Sequence, residues 1–178
     1  MPNLAKQPCS FARGYWLFEL FLDTLNVTEM THPQTYLRTY LEGARDFAGQ
    51  LPTQYRYRNV YDFVLREGRF FEPRPRPDSI TLRHIGECFR NAFLTTMRTG
   101  LEYAEGYAVV GSKIPVLHAW NVDAEGSVVD TTWEPVGSMY FGIVFPPSII
   151  ERAQTSVLDD FESGWPVLRE SWTEMVAE

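Results

Sequence analysis

From Tyr103 to Phe145 the chain alternates apolar runs with turns too short to hold a helix. The runs are 103–110, 116–122, 127–133 and 139–145, rich in Val, Tyr, Phe and Trp. They are separated by Gly111-Ser112-Lys113, Asp123-Ala124-Glu125-Gly126 and Glu134-Pro135-Val136-Gly137. Parallel neighbours need a long crossover, usually a helix. Connections this short therefore predict an antiparallel sheet of about four strands. A helix precedes it over 88–99, with Phe89, Ala92, Phe93 and Met97 as its inward stripe and Gly100 as its stop.

Upstream the pattern is helical. Residues 15–22 are dense in large apolar groups, with Glu19 and Asp23 sharing one face. Pro33 suits the first turn of a second helix, where Tyr36, Leu37, Tyr40, Leu41, Ala44 and Phe47 recur at helical spacing. A third fits 59–66, with Val60, Phe63 and Val64 inward and Gly68 ending it. The alternating prolines of Glu72-Pro73-Arg74-Pro75-Arg76-Pro77 read as an extended, solvated connector. After the sheet, a helix begins near Pro147 or Ser148 and runs to about residue 160, before an irregular Trp-rich end. The expected fold class is α+β: a helical segment or subdomain over 1–70, a connector over 71–78 and a core over 79–178, in which a helix packs on the sheet.

A chain of 178 residues with 44% hydrophobic and 15% aromatic residues is long and apolar enough for one cored domain. Its net charge of −7 argues against nucleic acid or an anionic membrane as partner. Glu19 and Asp23 interrupt the most apolar stretch, so no membrane span is expected. The two cysteines, Cys9 and Cys88, make no disulfide framework, and no signal peptide is visible. A soluble protein of a reducing cytoplasm is the expectation. The sequence does not fix its oligomeric state.

Three local contexts suit a single chemistry: Gly86-Glu87-Cys88, His118-Ala119-Trp120-Asn121 and Val129-Asp130-Thr131-Thr132-Trp133. A thiol, an imidazole and a carboxylate can serve as nucleophile, base and orienter of the base. Thiols attack as thiolates, and a helix N-terminus favours the anion. Cys88 stands at such a position, behind a glycine suited to a tight turn. Each residue also has an ordinary reading: a buried inert cysteine, a structural histidine in a strand, an aspartate capping a turn. With three histidines and two cysteines in the chain, few rival constellations exist.

The hairpin between His118 and Asp130 supplies a geometric expectation. Asp123-Ala124-Glu125-Gly126 matches a type I turn followed by a left-handed glycine bulge. Asp123 is then opposite Ser127, Trp120 opposite Asp130 and His118 opposite Thr132. That register puts His118 and Asp130 on one sheet face as diagonal neighbours. A loop of two or four residues would send Asp130 to the other face.

In order and spacing, four pieces resemble the transglutaminase-like superfamily of papain-like thiol enzymes. They are Gly86-Glu87-Cys88; Thr99-Gly100-Leu101 leading to Glu105-Gly106-Tyr107-Ala108; His118-Ala119-Trp120-Asn121; and Val129-Asp130-Thr131-Thr132-Trp133. The likeness covers about residues 84 to 145. It implies Cys88 as nucleophile, His118 as base and later acid, Asp130 as the orienter of His118, and an acyl-thioenzyme intermediate. The Cys88 backbone N–H is one oxyanion donor. Gln54, Tyr55, Tyr57 and His84 are candidates for a second. Tyr107, Trp120 and Trp133 are candidate walls of a substrate cleft, the two tryptophans reading equally as core. The implied substrate is a peptide or protein, with no cofactor and no metal.

Hydrolysis of an amide or isopeptide bond is favoured over glutamine–lysine cross-linking, because water needs no second substrate channel. Two other classes remain to be weighed. A non-catalytic binding module on the same fold would label slowly at both thiols. A zinc site built from His84, Cys88, His118 and Asp130 would consume the nucleophile. Arg90 and Asn91 read as capping or solvated helix residues, and Glu87 as an acid pointing away from the thiol.

Overall fold

The computed structural model describes residues 33–111, 114–155, 166–170 and 172. In chain order its elements are α1 (Pro33–Phe47), α2 (Val60–Glu67), β1 (Arg69–Pro73), α3 (Cys88–Thr99), β2 (Glu102–Val109), β3 (Val116–Val122), β4 (Ser127–Val129), β5 (Met139–Phe145), α4 (Pro147–Thr155) and α5 (Val167–Glu170). The α+β class therefore holds. The helix expected over 15–22, and Cys9, lie outside the described residues, as does any continuation of α4 past residue 155.

The turn-bounded runs pair antiparallel, β2 with β3 and β5, and β3 with β4. The sheet does not stop at the expected four strands. β1 joins β5 antiparallel and β4 parallel, closing a barrel in the order β1-β4-β3-β2-β5. Residues 71–73, read as the start of a solvated connector, thus close the sheet, and the boundary expected after residue 70 falls inside a strand. The proline pattern misled because Pro73 lies at the strand's end, where its missing N–H disturbs the ladder least. Phe70 and Phe71 point to opposite faces, as successive strand residues must. Phe71 is 3% exposed and meets Trp120 edge to face, with ring centroids 5.4 Å apart. Past the strand, Arg76 donates to the Ile80 carbonyl oxygen and pairs with Glu134 at 3.0 Å, which ties this segment to the loop before β5.

Alternation divides the barrel's side chains into two clusters. Phe71, Ala104, Ala108, Trp120, Val122, Val128 and Tyr140 pack together on one face. The opposite face, with Tyr103, Tyr107, Ala119, Phe141 and Phe145, shares a core with Leu37 and Leu41 of α1 and Phe63 and Val64 of α2. The helices before residue 70 therefore share the sheet's own core, and the described residues from Gln34 onward belong to one compact unit. Glycines let β2 and β5 approach closely where Gly106 pairs with Gly142. A Cβ on Gly142 would lie 2.2 Å from the Glu105 carbonyl oxygen and 2.7 Å from Trp120 Cη2.

α3 buries Cys88, Asn91, Ala92 and Thr95, a stripe at i, i+3, i+4 and i+7. This is rotated from the expected one, and Met97 is 63% exposed. The rotation has a polar cause. The Asn121 side-chain amide, on the helix-facing side of β3, donates to the Ala92 carbonyl oxygen at 2.9 Å and to Thr96 Oγ1 at 2.9 Å. Within the end read as irregular, residues 166–170 and 172 are described, and 167–170 form a helix. α5 seats Val167 and Leu168 in the core, and Trp172 stacks on Phe63 at 5.8 Å. Glu105, fully buried, accepts from the Val167 and Leu168 N–H groups at 2.8 and 2.9 Å and from the Tyr103 hydroxyl at 2.6 Å.

Candidate active site

Cys88 is the first residue of α3. Gly86 precedes it with φ +90°, a backbone that side chains rarely tolerate. Glu87 occupies the N-cap position without a capping hydrogen bond from its side chain, which turns instead to Arg90 at 2.9 Å. First-turn amides have no intrahelical acceptor, so the positive end of the helix is presented at the thiol. Cys88 is 9% exposed.

The hairpin has the expected register. The Asp123 N–H donates to the Ser127 carbonyl oxygen at 3.0 Å, the Gly126 N–H to the Asp123 carbonyl oxygen at 3.0 Å, and Gly126 is left-handed at φ +80°. Val122 faces Val128 and Asn121 faces Val129. His118 and Asp130 consequently meet, with Nε2 to Oδ2 at 2.8 Å, and both are essentially inaccessible. Nε2 is engaged by Asp130, and Cys88 lies close enough to the same imidazole to raise its pKa. The structure thus pairs His118 with Asp130 and sets Cys88 near the same ring.

Asp130 is fully satisfied. Its Oδ2 also accepts from the Tyr140 hydroxyl at 2.7 Å, and its Oδ1 accepts from the Thr132 and Trp133 N–H groups at 2.7 and 3.0 Å. Burial pushes this carboxyl upward, but its hydrogen bond to His118, the charge of that ring and the Tyr140 and Thr132 donors hold it below the ordinary range. Burial likewise opposes a charged His118. Hydrogen bonds to Asp130 and Cys88, and the charges of both, outweigh it and raise the ring from 6.5 to about 9. The carboxylate beside it thus favours the charged ring. Burial and the Asp130 charge both raise Tyr140, so it remains a protonated donor.

Trp133 stacks flat on His118, with centroids 3.7 Å apart and planes 8° apart. Hydrogen bonding sets the ring's tilt and this stack fixes its plane. Of the candidate cleft walls, Trp133 is half-buried, whereas Trp120 is 0% and Tyr107 7% exposed. Trp120 packs with Phe71 and Tyr140, and Tyr107 packs against Tyr61, so both belong to the core. The candidates for a second oxyanion donor scatter. The Tyr57 hydroxyl donates to Glu67 at 2.5 Å, while Gln54, Tyr55 and His84 are exposed.

Two partners of the triad were missed in the sequence. Tyr140 was read only as a strand residue; its signal was a phenol in a run whose alternate residues must be buried. Asn91 was read as capping or solvated, yet it is 2% exposed and hydrogen-bonded on the triad side of the helix. Among the described residues no three His, Cys, Asp or Glu side chains are arranged to hold a metal ion, and no helix is long and apolar enough to cross a membrane. Compared with known proteins, the chain matches no family model, no curated protein and no solved structure.

Proposed function

We propose that this chain is a transglutaminase-like thiol enzyme that hydrolyses an amide or isopeptide bond of a peptide or protein, in a reducing cytoplasm, through an acyl-thioenzyme. One observation supports the reading: an imidazole hydrogen-bonded to a buried carboxylate at 2.8 Å is raised further by a cysteine at a helix start. A structural histidine needs neither the thiol nor a charge at neutral pH.

The Cys88 thiolate attacks the substrate carbonyl, and negative charge develops on the carbonyl oxygen. First-turn amides of α3, that of Cys88 among them, are oriented to stabilise it. His118 then gives its proton to the leaving amine, and the C–N bond breaks. A water molecule, deprotonated by the now neutral ring, attacks the thioester, releasing the acid and restoring the imidazolium beside the thiolate. Asp130 stays ionised throughout and fixes the tautomer, and Trp133 fixes the ring plane.

The test is selective thiol labelling. With iodoacetamide at neutral pH, Cys88 should react much faster than Cys9, and His118→Ala should abolish the difference. Equal, slow labelling of both cysteines would instead support a binding module on the same fold.

A further inference from the structure

We propose that Asn91 is a positioning residue: it sets the separation between Cys88 and His118 by tying the nucleophile's helix to the loop that carries Asp130. This rests on the thiol-enzyme reading above. Asn91 follows Cys88 by three residues and shares its buried stripe. Its side-chain Nδ2 spends both protons on defined acceptors, the His84 carbonyl oxygen at 2.7 Å and Thr132 Oγ1 at 3.0 Å. The Thr132 N–H in turn donates to Asp130 Oδ1 at 2.7 Å. The hydrogen bonds therefore run in one chain, His118 to Asp130, Asp130 to Thr132 and Thr132 to Asn91, which is one helical turn from Cys88; Cys88 in turn lies near enough to the His118 ring to raise its pKa.

Neighbouring bonds run parallel to this strut. The Arg83 N–H donates to the Thr131 carbonyl oxygen at 2.8 Å, and Arg83 Nε to Thr95 Oγ1 at 3.3 Å. The segment before α3 is thus clipped to the same loop. Only a primary amide serves at position 91. Leucine would leave the buried Thr132 Oγ1 without this donor, and aspartate would set a carboxylate against the His84 carbonyl. Placing a reacting group about 1 Å off costs on the order of 10²-fold in rate. A strut that holds helix and loop in register is therefore worth more to catalysis than its two hydrogen bonds are to folding.

The experiment measures three quantities on Asn91→Ala, Thr132→Val and Thr132→Ser in the full chain. They are the iodoacetamide rate at Cys88 with Cys9 as internal reference, the NMR titration midpoint of His118, and the urea unfolding midpoint. Asn91→Ala and Thr132→Val should slow Cys88 labelling at least about tenfold. They should also draw the His118 midpoint from about 9 down toward 6.5, because the sulfur's share of that rise is lost. Thr132→Ser, which keeps the hydroxyl, should restore both. Should Asn91→Ala fail to fold, the Thr132 pair decides the matter, since valine keeps the volume and removes the hydroxyl that accepts from Asn91. A folded Thr132→Val protein with wild-type labelling and an unmoved His118 midpoint would overturn the positioning role alone. Equal, slow labelling of both cysteines in the wild type would overturn that role together with the thiol-enzyme reading.

Discussion

Asp130→Asn is the most informative single change, because it keeps the volume and reverses one hydrogen bond. The Thr132 and Trp133 N–H groups both donate to Oδ1, so the asparagine oxygen is held there and its NH2 faces His118 and Tyr140. His118 Nε2 must then accept, and its proton moves to Nδ1, the nitrogen that should receive the thiol's proton. The charge is lost as well. Raising a histidine from 6.5 to about 9 corresponds to roughly 3 kcal/mol in favour of the imidazolium, and Asp130 heads the contributors that outweigh burial. Without it, burial dominates, and the His118 midpoint should fall to 6.5 or below. Cys88 alkylation at pH 7 should slow by up to roughly a hundredfold, the same energy expressed as a rate. Loss of turnover should be larger, on the order of 10⁴-fold, as expected for a triad with the wrong tautomer. The assays are NMR titration of the imidazole and mass-resolved iodoacetamide kinetics. A His118 midpoint still near 9, or an unchanged alkylation rate, would refute the reasoning.

Other changes test the surroundings. Tyr140→Phe removes a 2.7 Å donor to Asp130 and strips the Gly137 N–H of its 2.8 Å acceptor, so urea unfolding should show a loss of roughly 1–3 kcal/mol. Asp130 lies below its ordinary value, so its stabilisation is present above that value and lost as pH falls through the depressed one; Tyr140→Phe should make this acid loss smaller and end it at higher pH. Glu105 behaves oppositely. Burial raises it from 4.5 to about 7 against three donated hydrogen bonds, so its contribution is complete below pH 4.5 and lost as pH rises through 7. Relative to wild type, Glu105→Gln should gain up to about 3 kcal/mol of stability between those limits, and a constant gap in unfolding free energy would contradict this. Gly142→Ala forces a methyl against the Glu105 carbonyl and Trp120, and should cost about 1–3 kcal/mol by thermal or urea unfolding.

The legible parts of this chain were those set by local rules. The loop from Asp123 to Ser127, with its left-handed Gly126, fixes a register, and that register alone decides that His118 and Asp130 share a face. Gly100, left-handed at φ +75°, likewise marks the end of α3. What was not legible depended on partners distant in sequence. β1 is short and proline-flanked, and it becomes a strand because β4 and β5 both offer it open edges. The stripe of α3 is turned by Asn121, some thirty residues downstream, rather than by its own apolar spacing. Asn91 and Tyr140 looked ordinary because a polar side chain reveals nothing of its acceptor until the chain closes. Trp120 looked like a cleft wall for the converse reason: its neighbours Phe71 and Tyr140 come from strands on either side of it in the sequence.

The most direct measurement is to trap the covalent species. Mixing the protein with p-nitrophenyl acetate and following intact mass and peptide maps over time reports which atom takes the acyl group. The account predicts one acetyl group on Cys88 that forms rapidly and is then hydrolysed, with neither step occurring in His118→Ala. Acetylation that is slow, spread over both cysteines and indifferent to His118 would contradict it.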